Sequence, residues 1–286
     1  MKDNERITLQ KAACKLRQYV IEGTYRAKAG HPGGSLSSAD MLTYLYTKAL
    51  NVDPANPTWE DRDRFVLSKG HSAPGLYGAM ALRGFIPEDE ISTLRGLGSR
   101  LQGHPSMKML PGVDMSTGSL GQGFSAAAGM ALAGKLAGKS YRVYALIGDG
   151  ELQEGQIWET AMFAPNKSLT NLIAIVDNNN LQIDGTIEEV NSPYPIAAKF
   201  AAFGWDVYEI DGHDFDQIEN AVNQAKNAEK RPAAIIMKTT KGKGVSFMEN
   251  KAAWHGKAPN DEEYSIAMGE LRAAYDALCE KEGELS

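Results

Sequence analysis

Five short apolar runs, each halted near a glycine and a charged or amide residue, constrain this chain more than any other feature. They are RFVLS at 64–68, RVYALI at 142–147, NLIAIVD at 171–177, WDVYEI at 205–210 and AAIIMKT at 233–239. Runs this short and this continuously apolar suit strands buried on both faces, the condition of a parallel sheet. Helical periodicity fills the intervals. Residues 7–29 bring Leu9, Ala12, Ala13, Leu16, Tyr19 and Val20 to helical spacing and stop at the glycine turn GHPGG. A second helix is read from about Ser37 to Leu50, after an N-cap in SLSSAD, and a last one from about Asp261 to Leu285. The alternation predicts an α/β fold, a doubly wound and mostly parallel sheet with helices on both faces. With no repeat, linker or low-complexity tract to divide it, 1–286 reads as one domain.

In such sheets ligands sit where loops leave the C-terminal ends of the strands. Here those loops are KGHSAPG, GDGELQEG, NNNLQIDG, DGHDF and TKGKG. Gly, Asp and Asn are ordinary turn formers, so any one of these loops is explicable as a turn. The pair Gly148-Asp149-Gly150 and Asn178-Asn179-Asn180 asks for more, because about thirty residues separate them, room for one crossover helix. Adjacent strands then present a carboxylate and an amide oxygen together, and Gly150 lets backbone approach a phosphate at the start of the next helix. Hard oxygen donors suit Mg²⁺ or Ca²⁺, with phosphate oxygens completing the shell. The alternative is structural: Asp149 caps a helix through Glu151 to Ala161, and the asparagines fill left-handed turn positions.

Charge narrows the partners. Thirty Lys and Arg stand against 36 Asp and Glu, a net charge of −6, which argues against nucleic acid. Cys14 and Cys279 have no metal-ligand spacing and are too few for a disulfide framework, so a reducing cytoplasm is the expected compartment. The N-terminus lacks the apolar stretch of a signal peptide, and no run approaches the roughly 18 residues of a membrane span. All five histidines, His31, His71, His104, His213 and His255, adjoin a glycine.

The stretch IGDGELQEGQIWE…NLIAIVDNNNLQIDG is similar to the thiamine-diphosphate motif, GDG followed by an asparagine-rich strand end. AGHPGGSLSSAD, FVLSKGHSAPGLYGA, QGHPS, TGSLGQGFSAAAG and KTTKGKGVSFMENKAAWHGK, in that order from about residue 10 to 260, resemble transketolases in particular. The resemblance implies that Asp149, the Asn179 side chain and the Leu181 carbonyl hold Mg²⁺ (Ca²⁺ or Mn²⁺ substituting). It implies that His71, the Gly150 amide, Lys241 and His255 lie near the diphosphate of thiamine diphosphate. Gly118 and Leu120 match positions on the aminopyrimidine, and Ile183 one on the thiazolium. His31 and His104 match histidines at the substrate hydroxyls, where imidazole accepts a proton or stabilises an alkoxide. Glu154 and Glu159 match acidic residues that link two active sites across a dimer interface. His213 matches a segment that is usually structural, and Lys243 is left undecided.

The resemblance covers the diphosphate-binding domain only. It implies that the pyrimidine-binding and C-terminal domains, with the glutamate that activates the pyrimidine and the arginines that grip a substrate phosphate, come from a second chain. The implied protein is the N-terminal subunit of a split transketolase, moving a two-carbon ketol unit between sugar phosphates in a heterotetramer. The alternatives are the E1 α chain of a 2-oxo acid dehydrogenase, a deoxyxylulose-phosphate synthase-like protein, or a non-catalytic cofactor-binding fragment. His31 and His104 weigh against the dehydrogenase, which has no sugar hydroxyls to bind.

Overall fold

The computed structural model describes residues 1–284; Leu285, expected at the end of the last helix, lies outside them. Among the described residues there are seven strands: β1 (Arg64–Leu67), β2 (Val143–Gly148), β3 (Leu172–Asn178), β4 (Leu181–Gln182), β5 (Gly185–Thr186), β6 (Asp206–Asp211) and β7 (Ala233–Lys238). The five apolar runs form one sheet in the order β1-β2-β3-β7-β6, every pairing parallel, as their composition predicts. Successive residues face opposite sides. Phe65, Leu67, Tyr144, Leu146, Ile173 and Ile175 enter one core, while Val66, Val143, Ala145, Ile147, Leu172 and Ala174 enter the other.

Among the described residues there are ten α-helices, nine of which cover the two faces. The first core packs under α1 (Asp3–Ala27), α2 (Pro32–Ser37), α3 (Ala39–Tyr44), α4 (Ala73–Arg83), α9 (Phe215–Lys226) and α10 (Asp261–Glu284). The second lies under α5 (Gln122–Leu136), α6 (Gly155–Asn166) and α8 (Ile196–Phe203), with α7 (Ile187–Asn191) at the sheet edge after the β4–β5 hairpin. Consequently the chain leaving β1 goes to one face and the chain leaving β2 to the other, and the exits of β3 and β7 diverge in the same way. Divergent exits open crevices at the strands' C-terminal ends. Among the described residues no helix is long and apolar enough to cross a membrane.

Three local expectations need correction. The GHPGG segment is not simply a turn. Helix α1 ends at Lys28, which is left-handed, and Pro32 then starts α2 with its missing N–H and preset φ at no cost. Glycine is required at 33 by packing, because a Cβ there would lie 2.7 Å from the Trp254 carbonyl oxygen. The second helix therefore begins at Pro32 and breaks at Ser38, and Ser38 Oγ bonds the Gly34 carbonyl rather than capping. Finally, no helix runs from Glu151 to Ala161: a 3₁₀ turn spans Gly150–Gln153, and α6 starts at Gly155. Asp149 caps only that turn, accepting from the Gly150 amide at 2.8 Å.

Candidate active site

A cavity of about 320 Å³ opens at the C-terminal ends of β1, β2, β3 and β7. The sequence-predicted residues His31, His71, Gly118, Leu120, Asp149, Gly150, Glu154, Asn179, Leu181, Ile183, Lys241 and His255 all line it. His104 is exposed at its rim, its imidazole centroid 6.2 Å from that of His31. Glu159 is the exception. It lies on the outer surface of α6, near the exposed Met162 and Phe163, and does not line the cavity.

Asp149 follows β2 directly and Asn179 follows β3. The two strand ends are joined through Asp149 Oδ2, which accepts from the Asn180 amide at 2.5 Å. Asn180 is left-handed, so that part of the turn reading holds alongside the site. Asn179 Oδ1 accepts from the Leu181 amide at 3.1 Å, opening the β4–β5 hairpin. That hairpin stands over Gly150 and leaves Ile183, at its tip, 67% exposed. The Leu181 carbonyl accepts from Lys241 Nζ at 2.8 Å, and the same ammonium lies 2.9 Å from His255 Nδ1.

The charges at this edge are unusual. Asp149 is buried and among the described residues forms no ion pair; burial, then the nearby Asp177, pushes its pKa up to about 7. Burial pulls Lys241 down to about 8. His31 is the hub of four imidazoles, with His71 and His255 at 5.4 and 5.5 Å between centroids; His71 stacks on His255 at 4.8 Å. Burial lowers His31 to about 4 and His255 to about 3, and takes His71 well below its ordinary value. All three are therefore neutral at physiological pH, able to give or take a hydrogen bond. His31 Nδ1 is buried with no partner.

Three residues here escape the sequence reading. Lys69, just before Gly70-His71, is buried, lines the cavity, donates to the Gly34 carbonyl at 2.7 Å and pairs with Asp177. Asp177 closes the apolar run NLIAIVD, where its carboxylate reads as the start of a turn. Its only signal is a charge completing an otherwise apolar strand. Arg95, exposed near His31 and His104, lowers the pKa of both after burial has done so.

A wider cavity of about 870 Å³ adjoins the first at the ends of β3, β7 and β6. Of the predicted site residues only Asn179 reaches it; His213 and Lys243 line it instead of the smaller cavity. The smaller one concentrates the perturbed acid, base and imidazoles, so it is the candidate site.

Residues 8–276 match the family described as the transketolase, thiamine diphosphate binding domain. The chain belongs to the transketolase N-terminal family. Among curated relatives it is 48% identical over 267 residues to a 6-deoxy-6-sulfo-D-fructose transketolase subunit of a Clostridium strain, covering 93% of this chain and 97% of the relative. It is 44% identical over 275 residues to one of the subunits of an apulose-4-phosphate transketolase from Phocaeicola vulgatus, covering 96% and 97%. Against the transketolase of Rattus norvegicus it is 44% identical, but spans only 40% of that protein. The transketolase of Campylobacter jejuni superposes with a TM-score of 0.87 at 34% identity, over all of this chain and 47% of that one. Thiamine diphosphate is thus the cofactor of the family to which this transketolase domain belongs.

Among the described residues no three His, Cys, Asp or Glu side chains converge as a metal cluster. The donor set at the strand ends is of another kind, one carboxylate, one amide oxygen and one carbonyl, all hard oxygens. A buried carboxylate that forms no direct ion pair among the described residues, with Lys241 acting on it only from further off, fits a divalent ion there. The Leu181 carbonyl has a second lone pair, so its bond to Lys241 does not disqualify it.

Proposed function

We propose that this chain is the diphosphate-holding subunit of a two-chain transketolase, a single domain that a partner completes with the pyrimidine-binding domain. The observation that carries the reading is Asp149, buried and, among the described residues, in no direct ion pair, beside Asn179 and the Leu181 carbonyl, in a cavity whose remaining walls hold the imidazole cluster and Lys241, whose charge acts on Asp149 from beyond ion-pair distance. In this reading the Asp149 carboxylate, the Asn179 side chain and the Leu181 carbonyl would hold Mg²⁺, and Gly150 N–H, His71, Lys241 and His255 would hold the phosphates. Bound thiamine diphosphate would supply a carbanion-stabilising carbon for breaking and remaking the bond next to a ketose carbonyl.

The chain's own residues then act as follows. Asp149 must be ionised to hold the ion. Lys241, already held by a carbonyl and an imidazole, keeps its ammonium at the floor without a search through rotamers. Ile183 supplies apolar surface at the mouth, and Gly118 and Leu120 give a backbone wall for the pyrimidine. Neutral His31 and rim His104 accept from or donate to the hydroxyls of the sugar, and low pKa values keep them from being trapped as imidazolium. Glu154, at the mouth, and Glu159, on the outer face of α6, face the second chain.

The substrates we assign are a ketose donor and an aldose acceptor, with an anionic group at the end distant from the carbonyl. Relatives named for a sulfo-sugar and for a sugar phosphate support that choice. Exposed Arg95, beside His104, is the cation this chain offers to that terminal anion, in addition to any from the partner. The relatives named as subunits match this chain over nearly their whole length, which supports a separate partner chain; we propose two copies of each in the assembly. A ketol-transfer assay on this chain co-purified with a pyrimidine-domain chain, with and without thiamine diphosphate and Mg²⁺, tests the proposal. Activity that requires both chains and both additions is expected; turnover by this chain alone would overturn it.

A further inference from the structure

His213 does not line the candidate site, yet it lies at the centre of a chain of hydrogen bonds that leads to it. Arg17 of α1 donates to both oxygens of Asp40 in α3, at 3.1 and 2.6 Å, and this pair is buried. Asp40 Oδ2 lies 2.7 Å from His213 Nδ1 in the loop after β6. On the far side of the ring, the Thr240 amide donates to His213 Nε2 at 2.9 Å. An amide can donate only to a bare ring nitrogen, so the proton is on Nδ1, where Asp40 accepts it. Asp40 thereby selects the one tautomer that can hold Thr240.

Thr240 immediately precedes Lys241. On the other flank the Gly242 amide donates to the Gly33 carbonyl at 3.0 Å, and the Lys241 carbonyl accepts from the Asn250 amide at 2.9 Å. The lysine backbone is therefore fixed on three sides, and of these three fastenings only His213 is a side chain. The approach is close: a Cβ on Gly212 would lie 2.5 Å from Thr239 Cγ2, so glycine there is what lets the histidine loop lie against the end of β7.

We infer that His213 is a positioning residue for Lys241: through Thr240 it sets the backbone from which the ammonium reaches the Leu181 carbonyl and His255, and Arg17–Asp40 sets His213. This rests on the reading that Lys241 faces the diphosphate. It gives a specific task to a histidine whose segment resembles a structural one, and to a buried Arg–Asp pair that does not line the cavity.

The test is a double-mutant cycle on the co-purified two-chain enzyme, titrated calorimetrically with thiamine diphosphate in saturating Mg²⁺, with hydrogen exchange at the Thr240 amide in parallel. His213→Ala should weaken cofactor binding about tenfold, the scale of one charge-assisted hydrogen bond mis-set. His213→Gln, which keeps one donor and one acceptor, should recover most of it. In a Lys241→Ala background, His213→Ala should cost little more, because the two act in series. Equal weakening by His213→Ala in both backgrounds, or none in the first, would overturn the inference. Should Lys241→Ala bind cofactor like the parent, the diphosphate reading of the site fails instead. The exchange measurement separates the two: faster exchange at Thr240 in His213→Ala reports the fastening itself, and unchanged exchange there refutes it whatever Lys241 does.

Discussion

Asp149 and Asp177 end neighbouring strands, are both buried, and differ in everything else. Asp177 receives Lys69, Ser37 at 2.6 Å, Thr239 and Asn179, and among these Lys69 does most to hold its carboxyl below the ordinary value against the cost of burial. Asp149 receives two backbone amides and no cation, and its pKa rises to about 7. One carboxylate is complete within the chain and braces β1, α2, β3 and the loop after β7. The other is left incomplete, which is the state expected of a group whose partner comes from outside.

Equal substitutions should therefore give unequal results. Asp177→Asn leaves the Lys69 ammonium buried and unpaired and should cost about 3–5 kcal/mol in urea unfolding of the cofactor-free chain. A loss below about 1 kcal/mol would mean the pair is not bracing the fold. Asp149→Asn should cost at most about 1 kcal/mol in the same measurement, since it removes a buried charge that forms no direct ion pair among the described residues and keeps one amide oxygen to accept from the neighbouring backbone. It should weaken Mg²⁺-dependent thiamine diphosphate binding at least about 100-fold, as even the outer partners of metal ligands are worth 10–100-fold. If the two variants lose stability equally, the contrast is wrong.

The imidazole cluster sharpens the comparison from the side of pH. Burial depresses His31, His71 and His255 in the folded chain, so between their folded values and the unfolded value near 6.5 the unfolded state binds more protons. Their contribution is fully present above about pH 6.5 and is lost as pH falls from there toward 4. His31→Asn should flatten the acid limb of the stability–pH curve by up to about one proton, which is about 1.4 kcal/mol per pH unit; an unchanged slope would place the burial of His31 in doubt. The smallest effect belongs to Ile183. Exposed at the hairpin tip, Ile183→Ala should leave thermal unfolding within about 0.5 kcal/mol of the parent while raising the cofactor requirement severalfold.

What the sequence made legible follows the physics of each element. Four of the sheet strands were readable because residues buried on both faces must be continuously apolar; β6, at the sheet edge, is partly or fully exposed along its length and does not meet that condition. The candidate cavity was readable because strand ends in such sheets gather the polar loops. The hairpin at 181–186 was not, since two-residue strands carry no periodicity. Helix α2 hid inside PGGS, a composition that spells turn; it is helical because Gly33 fits beneath the Trp254 carbonyl, a contact more than 200 residues away in the chain. Lys69 looked like a loop charge and Asp177 like the polar end of a strand, and only the third dimension shows them buried and paired. His213 could be placed at a sheet edge from DGHD, but its bond to Thr240 depends on how β6 and β7 lie together.

The cleft itself has a consequence for evolution. It exists because the backbone exits of β1 and β2, and again of β3 and β7, part to opposite sides of the sheet, and side chains merely furnish it. Point substitutions can therefore empty or refurnish the hollow without ever closing it, and only a change in the path of the chain would do that.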